Sequence, residues 1–131
     1  MNKIVPLDDG SRIVGVENSE HINTTNTSKR GTVTTTYDEL VRAFGEPTLS
    51  TERGDQMDKT HAEWMLEFEV EEQGKDAYGD QDYDLIVATV YDWKYPQLPR
   101  DSAEWNIGGF SRDGSKAAWL VQDYLNHMRN A

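Results

Sequence analysis

The stretch that decides the fold is Ala62-Glu63-Trp64-Met65-Leu66-Glu67-Phe68-Glu69-Val70. Trp64, Leu66, Phe68 and Val70 fall on one side of a period of two, and Glu63, Met65, Glu67 and Glu69 on the other. Successive side chains of a strand point to opposite faces, so this pattern predicts an antiparallel strand with one buried and one charged face. Downstream, residues 85–94 are apolar on both faces for most of their length, which predicts a central strand. Leu85, Val87, Thr89, Tyr91 and Trp93 share one of its faces, and Ile86, Ala88, Val90, Asp92 and Lys94 the other. Between the two strands, Glu71 to Asp82 is acidic and carries Gly74 and Gly79, and reads as an extended hairpin loop. Pro96 and Pro99 make residues 95–104 a connecting loop. Trp105 to Phe110 is a third strand, whose Gly108-Gly109 permits a bulge or the close approach of another group.

Upstream, Thr36 followed three residues later by Glu39 is a capping box, in which each side chain satisfies the other's orphan amide. Tyr37, Leu40, Val41 and Phe44 then form one helical stripe, ended by Gly45 and Pro47. A helix this short needs a sheet to pack on. Thr32 to Thr36 is a short β-prone run, and Glu17 to Lys29 reads as a polar loop. Ile4-Val5 and Ile13-Val14 flank Asp8-Asp9-Gly10-Ser11, a hairpin signal over residues 3–16 in which Pro6 marks an edge strand. At the other end, residues 115–128 are helical with Ala117, Leu120, Val121, Tyr124, Leu125 and Met128 on the apolar face, while Trp119 sits among polar residues. Arg129 to Ala131 should fray. The expected architecture is α+β: a small antiparallel sheet of three main strands, extended by the amino-terminal hairpin, with two helices on one face. One domain spans residues 1–131, with the hairpin and polar loop over 1–30 and the α+β core over 31–131.

A chain of 131 residues can bury a core without a staple. It has no cysteine, which excludes disulfides, thiol nucleophiles and cysteine-ligated metals. The segment Met1-Asn2-Lys3-Ile4-Val5-Pro6 does not read as a secretory signal, and no stretch approaches the ~20 apolar residues of a membrane span. These features predict a soluble cytoplasmic protein. A formal charge of −11, from 24 acidic and 13 basic residues, opposes direct binding to duplex DNA and favours basic partners. Much of the acid lies between Glu52 and Asp84.

Enzyme signatures are weak. His21, His61 and His127 have no metal-ligand spacing, and His21 and His61 read as solvated loop or strand-start positions. Ser111 and Ser115 lack a nucleophile elbow, and there is no phosphate loop. Asp92 and Lys94, two apart on one strand face, read as an ion pair. The expectation is a protein without catalytic residues, metal or cofactor. The aromatics carry more: Trp64 and Phe68 belong to the core, but Tyr91, Trp93 and Trp105 cluster at strand ends near Lys94, Asn106 and Arg100. Rings stack on nucleobases and cations meet phosphate.

Thr36-Tyr37-Asp38-Glu39-Leu40, Phe44-Gly45-Glu46-Pro47, Asp58-Lys59, Glu63-Trp64, Phe68, residues 88–94 and Trp105-Asn106-Ile107-Gly108-Gly109 occur in an order that resembles a family of small accessory proteins of bacteriophages and mobile elements. The resemblance runs from about Gly31 to the end. Relatives carry histidine in place of Asn106 and a short turn in place of Glu71 to Asp82. The resemblance implies a phage origin, the host bacterial cytoplasm as the place of action, and by analogy a counter-defence role. Two functions follow as expectations. In the first, a small anionic nucleotide-like ligand is captured by Tyr91, Trp93, Lys94, Trp105 and Asn106 with Lys59 or Arg100, in a pocket that an oligomer could share. In the second, Glu67, Glu69, Glu71 and Glu72 mimic nucleic acid and block a basic host protein.

Overall fold

The structure, a computed structural model, describes residues 4–75, 78–79 and 81–130. Lys3 at the start of the hairpin, Asp76 and Asp80 of the acidic segment, and Ala131 at the carboxyl end lie outside the described residues. The elements in chain order are β1 (Val5–Pro6), β2 (Arg12–Asn18), β3 (Ser28–Thr35), α1 (Tyr37–Phe44), β4 (Leu49–Ser50), β5 (Ala62–Lys75), β6 (Gln81–Tyr91), β7 (Ala103–Gly109) and α2 (Lys116–Arg129). The mixed α+β class is as expected, but the sheet is larger than three main strands. Seven strands join it, in the order β1-β2-β5-β6-β7-β3, with β4 paired to the start of β5. Every pairing is antiparallel.

The hairpin supplies β1 and β2, the added strands are β3 and β4, and several strands run longer than expected. The acidic segment after Val70 does not leave the sheet: β5 and β6 stay paired from Glu63↔Tyr91 through Glu71↔Tyr83 and on to Lys75↔Gln81. Acidic side chains hide the strand in the sequence, yet a ribbon in water keeps its ladder while solvating both faces. Likewise β2 continues to Asn18 and β3 begins at Ser28, inside the stretch read as polar loop. β3 is an edge strand pairing Thr32 with Asn106 and Val33 with Trp105. The short β1 at the opposite edge carries Pro6, where a missing backbone donor does no harm.

Alternation sorts each strand into two faces. Trp64, Leu66, Phe68, Val70, Ile86, Ala88, Val90, Trp105 and Ile107 are buried and share the core with both helices. Phe44 of α1 stacks on Tyr124 of α2, centroids 5.2 Å apart, so each helix helps to seat the other. The Thr36 hydroxyl accepts from the Glu39 amide at 3.1 Å, starting α1 as predicted. The Glu39 carboxylate, which the Thr36 backbone also meets, accepts from the Thr35 hydroxyl at 3.0 Å and from Arg129 Nε at 2.8 Å. Gly45, at φ 85°, donates to the Val41 carbonyl and closes α1. Its own carbonyl accepts from the Trp64 indole N–H at 2.9 Å. The helices cover one face of the sheet and leave the other, bearing Glu63, Met65, Glu67, Glu69, Tyr91 and Asn106, without a helix over it.

Candidate functional site

The uncovered face ends in a groove of about 310 Å³ whose lining includes Lys59, Glu63, Thr89, Tyr91, Trp93 and Gly108. Register builds it. Glu63 on β5 stands opposite Tyr91 on β6, and Tyr91 stands opposite Asn106 on β7, so the three side chains form a row across the sheet. One row further in, Met65, Thr89 and Gly108 are aligned. A Cβ on Gly108 would collide with the Thr89 hydroxyl oxygen and lie 3.6 Å from the Tyr91 ring. Glycine here therefore leaves the floor of the groove to the threonine hydroxyl. The Asn106 side chain hydrogen-bonds the Tyr91 hydroxyl.

Beyond β6 the chain turns through Trp93, whose indole is 46% exposed and meets Tyr91 edge-on at 6.3 Å. Lys59 Nζ and Lys94 Nζ each lie 5.8 Å from the centroid of that indole. The two lysines are brought together by the backbone: the Lys94 amide donates to the Lys59 carbonyl at 2.8 Å. Lys94 holds φ 61°, a left-handed conformation that costs a side-chain-bearing residue roughly 1–2 kcal/mol. Burial pushes the Glu63 carboxyl above its ordinary pKa, so it protonates more readily than an exposed glutamate. Burial first, and the neighbouring Glu63 charge second, push the Tyr91 hydroxyl up as well. The groove thus offers an exposed ring, the Lys59 ammonium, hydroxyls and the carboxyls of Asp58 and Glu63, with Lys94 beside the same ring.

Two of the residues expected here are elsewhere. Trp105 is 0% exposed and lies on the helix-covered face, edge-on to Trp64 at 5.6 Å. The reason is parity: Asn106 points to the face that carries Tyr91, so its neighbour must face the core. The Trp105 indole N–H finds no hydrogen-bond partner among the described residues. Arg100 lies on the helix-bearing side, its guanidinium 4.4 Å from the Tyr37 centroid and 2.7 Å from both carboxylate oxygens of Glu52. Thus Lys59, Tyr91, Trp93, Lys94 and Asn106 gather, while Trp105 and Arg100 do not. Glu63, Thr89 and Gly108 were missed as groove residues, although the alternation of their strands was the signal that could have found them.

The expected Asp92–Lys94 pair is also absent. Asp92 is wholly buried and accepts from the His61 and Ala62 amides at 2.7 and 3.1 Å, with the His61 ring Nδ1 at 2.6 Å. His61 does stand at a strand start, but half-buried, as a structural partner that ties the start of β5 to the end of β6.

The acidic residues divide by parity too. Glu67, Glu69 and Glu71 share the uncovered face, but Glu71 is held by Arg12 at 3.0 Å. Glu72 points to the other side, where Lys116 Nζ lies 3.0 Å from it and 3.6 Å from Asp84. Glu17 stands directly opposite Glu67. Glu17, Glu67 and Glu69 have no ion-pair partner among the described residues and line a shallow groove of about 160 Å³ with Leu85. No cluster of His, Cys, Asp or Glu able to hold a metal occurs among the described residues. No helix of the described chain is long and apolar enough to cross a membrane. No family model, no curated protein and no solved structure matches the chain.

Proposed function

We propose that the chain is a non-enzymatic binding protein that captures a small anionic, nucleotide-like ligand in the groove at Tyr91 and Trp93. The observation that carries this reading is convergence. Lys59 with Glu63, Thr89 with Tyr91 and Trp93, and Gly108 come from three separated segments and line one groove. In this reading a base stacks on the Trp93 indole, a contact worth about 1–3 kcal/mol. Glu63, Thr89 and Asn106 meet the base or sugar edge, and the Lys59 and Lys94 ammonium groups meet phosphate. The molecular charge of −11 slows the approach of an anion but does not prevent capture. Asp58 and Glu63 are the carboxyls in the groove itself, and the field of more distant ones is screened over ~8 Å at physiological salt.

Titration with ADP, GDP and cyclic di-AMP, followed by calorimetry, tests this. At least one should bind, with Trp93→Ala and Lys59→Ala each weakening it about tenfold or more. Absence of binding by all three, or equal affinity in both variants, would reject the site.

A second reading rests on the Glu17–Glu67 pair. Like charges directly opposite on a sheet oppose folding, and their retention beside Glu69 suits a basic protein partner. Glu67→Lys with Glu69→Lys should abolish such an interaction and leave nucleotide capture intact. Either function suits the counter-defence role in a bacterial host that the resemblance to phage accessory proteins suggests.

A further inference from the structure

On the helix-bearing side, remote from the Trp93 groove, a cleft of about 480 Å³ separates the β1–β2 turn from α2. Leu7 and Leu120 form its apolar walls, together with Trp119, which is 61% exposed. An indole this exposed, on a helix whose other large apolar residues are buried or half-buried, is not explained by the core. Asp8 and Asp9 on the turn and Asp123 on α2 rim the cleft. Lys116 also lines it, but its ammonium is engaged by Glu72 and Asp84. Asp9 in turn is engaged by Ser11, whose amide and hydroxyl both donate to it. Asp8 and Asp123 are left facing the cleft, and burial, then the charge of Asp8, push the Asp123 carboxyl up.

We infer that this cleft is a docking site for an arginine-bearing segment of a basic partner protein, with the guanidinium against Trp119 and between Asp8 and Asp123. The chemistry selects this occupant. A bare metal ion needs converging oxygens, not leucine walls. A second copy of the chain would bring its own Asp8 and Asp123 against these, placing like charges together. An arginine has an apolar stem for Leu7 and Leu120, a planar cation that stacks on indole, and a fork that meets carboxylates. The cleft exceeds one side chain in volume, leaving room for flanking residues of a segment.

The test uses the intact protein and the peptide Ac-Gly-Arg-Arg-Gly-amide, read by the Trp119 indole N–H resonance. The peptide should shift that signal. Trp119→Ala and Asp123→Asn should each weaken binding about tenfold, and the citrulline analogue should not bind. Trp119 and Asp123 are exposed, so both variants should fold. Four results would overturn the proposal: equal binding of the citrulline peptide, an unmoved Trp119 signal, spermidine binding as tightly at the same place, or concentration-dependent self-association abolished by Trp119→Ala. The last would assign the indole to a contact between copies.

Discussion

Lys94 concentrates the tension between folding and binding in one residue. Its left-handed backbone would be relaxed in glycine, which adopts positive φ freely. Lys94→Gly should therefore raise stability by about 1 kcal/mol, measured by urea unfolding, while weakening capture of an anionic ligand. A variant that loses stability would show that the ammonium holds Trp93 in place and has a structural role. Trp105 makes the opposite case. It is sealed against Trp64, so Trp105→Ala should cost about 3–5 kcal/mol of folding stability. It should impair ligand binding only as far as the fold is lost. A selective loss of binding with unchanged unfolding would return this ring to the site. The two residues stand eleven positions apart. Strand parity turns Trp105 into the core, as the alternation around it implies, whereas Lys94 lies past the end of β6 in a left-handed turn that alternation does not govern.

Among the elements, α2 depends on missing side chains beneath it. A Cβ added at Gly109 would come within 2.7 Å of the Ala117 Cβ, and one at Gly31 within 2.8 Å of the Ala118 Cβ. These small residues on both partners let the helix lie close over β7 and β3. Gly109→Ala or Gly31→Ala should force α2 outward and cost about 1–3 kcal/mol, seen as a lower thermal midpoint with loss of near-ultraviolet dichroism. Unchanged stability in both would mean that the helix slides at little cost. Such pairs show what was legible at this scale and what was not. The periodicity of 116–128 and the alternation of 62–70 announce an amphipathic helix and a half-buried strand without any partner being known. Thr32 to Thr35 of β3 fall in the β-prone run, but its first half, 28–31, and the acidic end of β5 carry no hydrophobic pattern. Their strand state comes from pairing with β7 and β6, a tertiary cause that a local window does not contain. The row at the groove has a tertiary cause as well, since Glu63, Tyr91 and Asn106 meet only once β5, β6 and β7 are in register.

For the whole molecule, charge sets how stability responds to solution conditions. At neutral pH the formal charge of −11 repels itself, and Glu17 facing Glu67 concentrates that repulsion on the uncovered face. The carboxyls of Glu63, Glu72 and Asp123 are held above their ordinary pKa, the first and third mainly by burial and Glu72 mainly through its hydrogen bond with Asp84. A carboxyl whose pKa is raised on folding binds more protons in the native state. Its contribution is therefore full below the ordinary range near about 4 and is lost as pH climbs through the raised value. Asp9, held down mainly by its Ser11 hydrogen bonds, and Glu39, held down mainly by Arg129, act in the other sense and lose their contribution as pH falls through their depressed values. Above the ordinary carboxylate range the first set and the general repulsion still change, and both favour acid. The thermal midpoint should thus rise as pH is lowered from about 8 toward about 5. It should also rise at pH 8 when salt shortens the screening length from ~10 Å toward ~3 Å. Glu63→Gln should flatten the acid side of the pH profile, and Glu67→Lys should raise the midpoint at low salt by relieving the pair with Glu17, a change of about 0.2–1 kcal/mol. A midpoint that is highest at pH 8 in low salt would mean that the carboxylates of the uncovered face are neutralised within the fold, and the case for a basic partner there would fall with it.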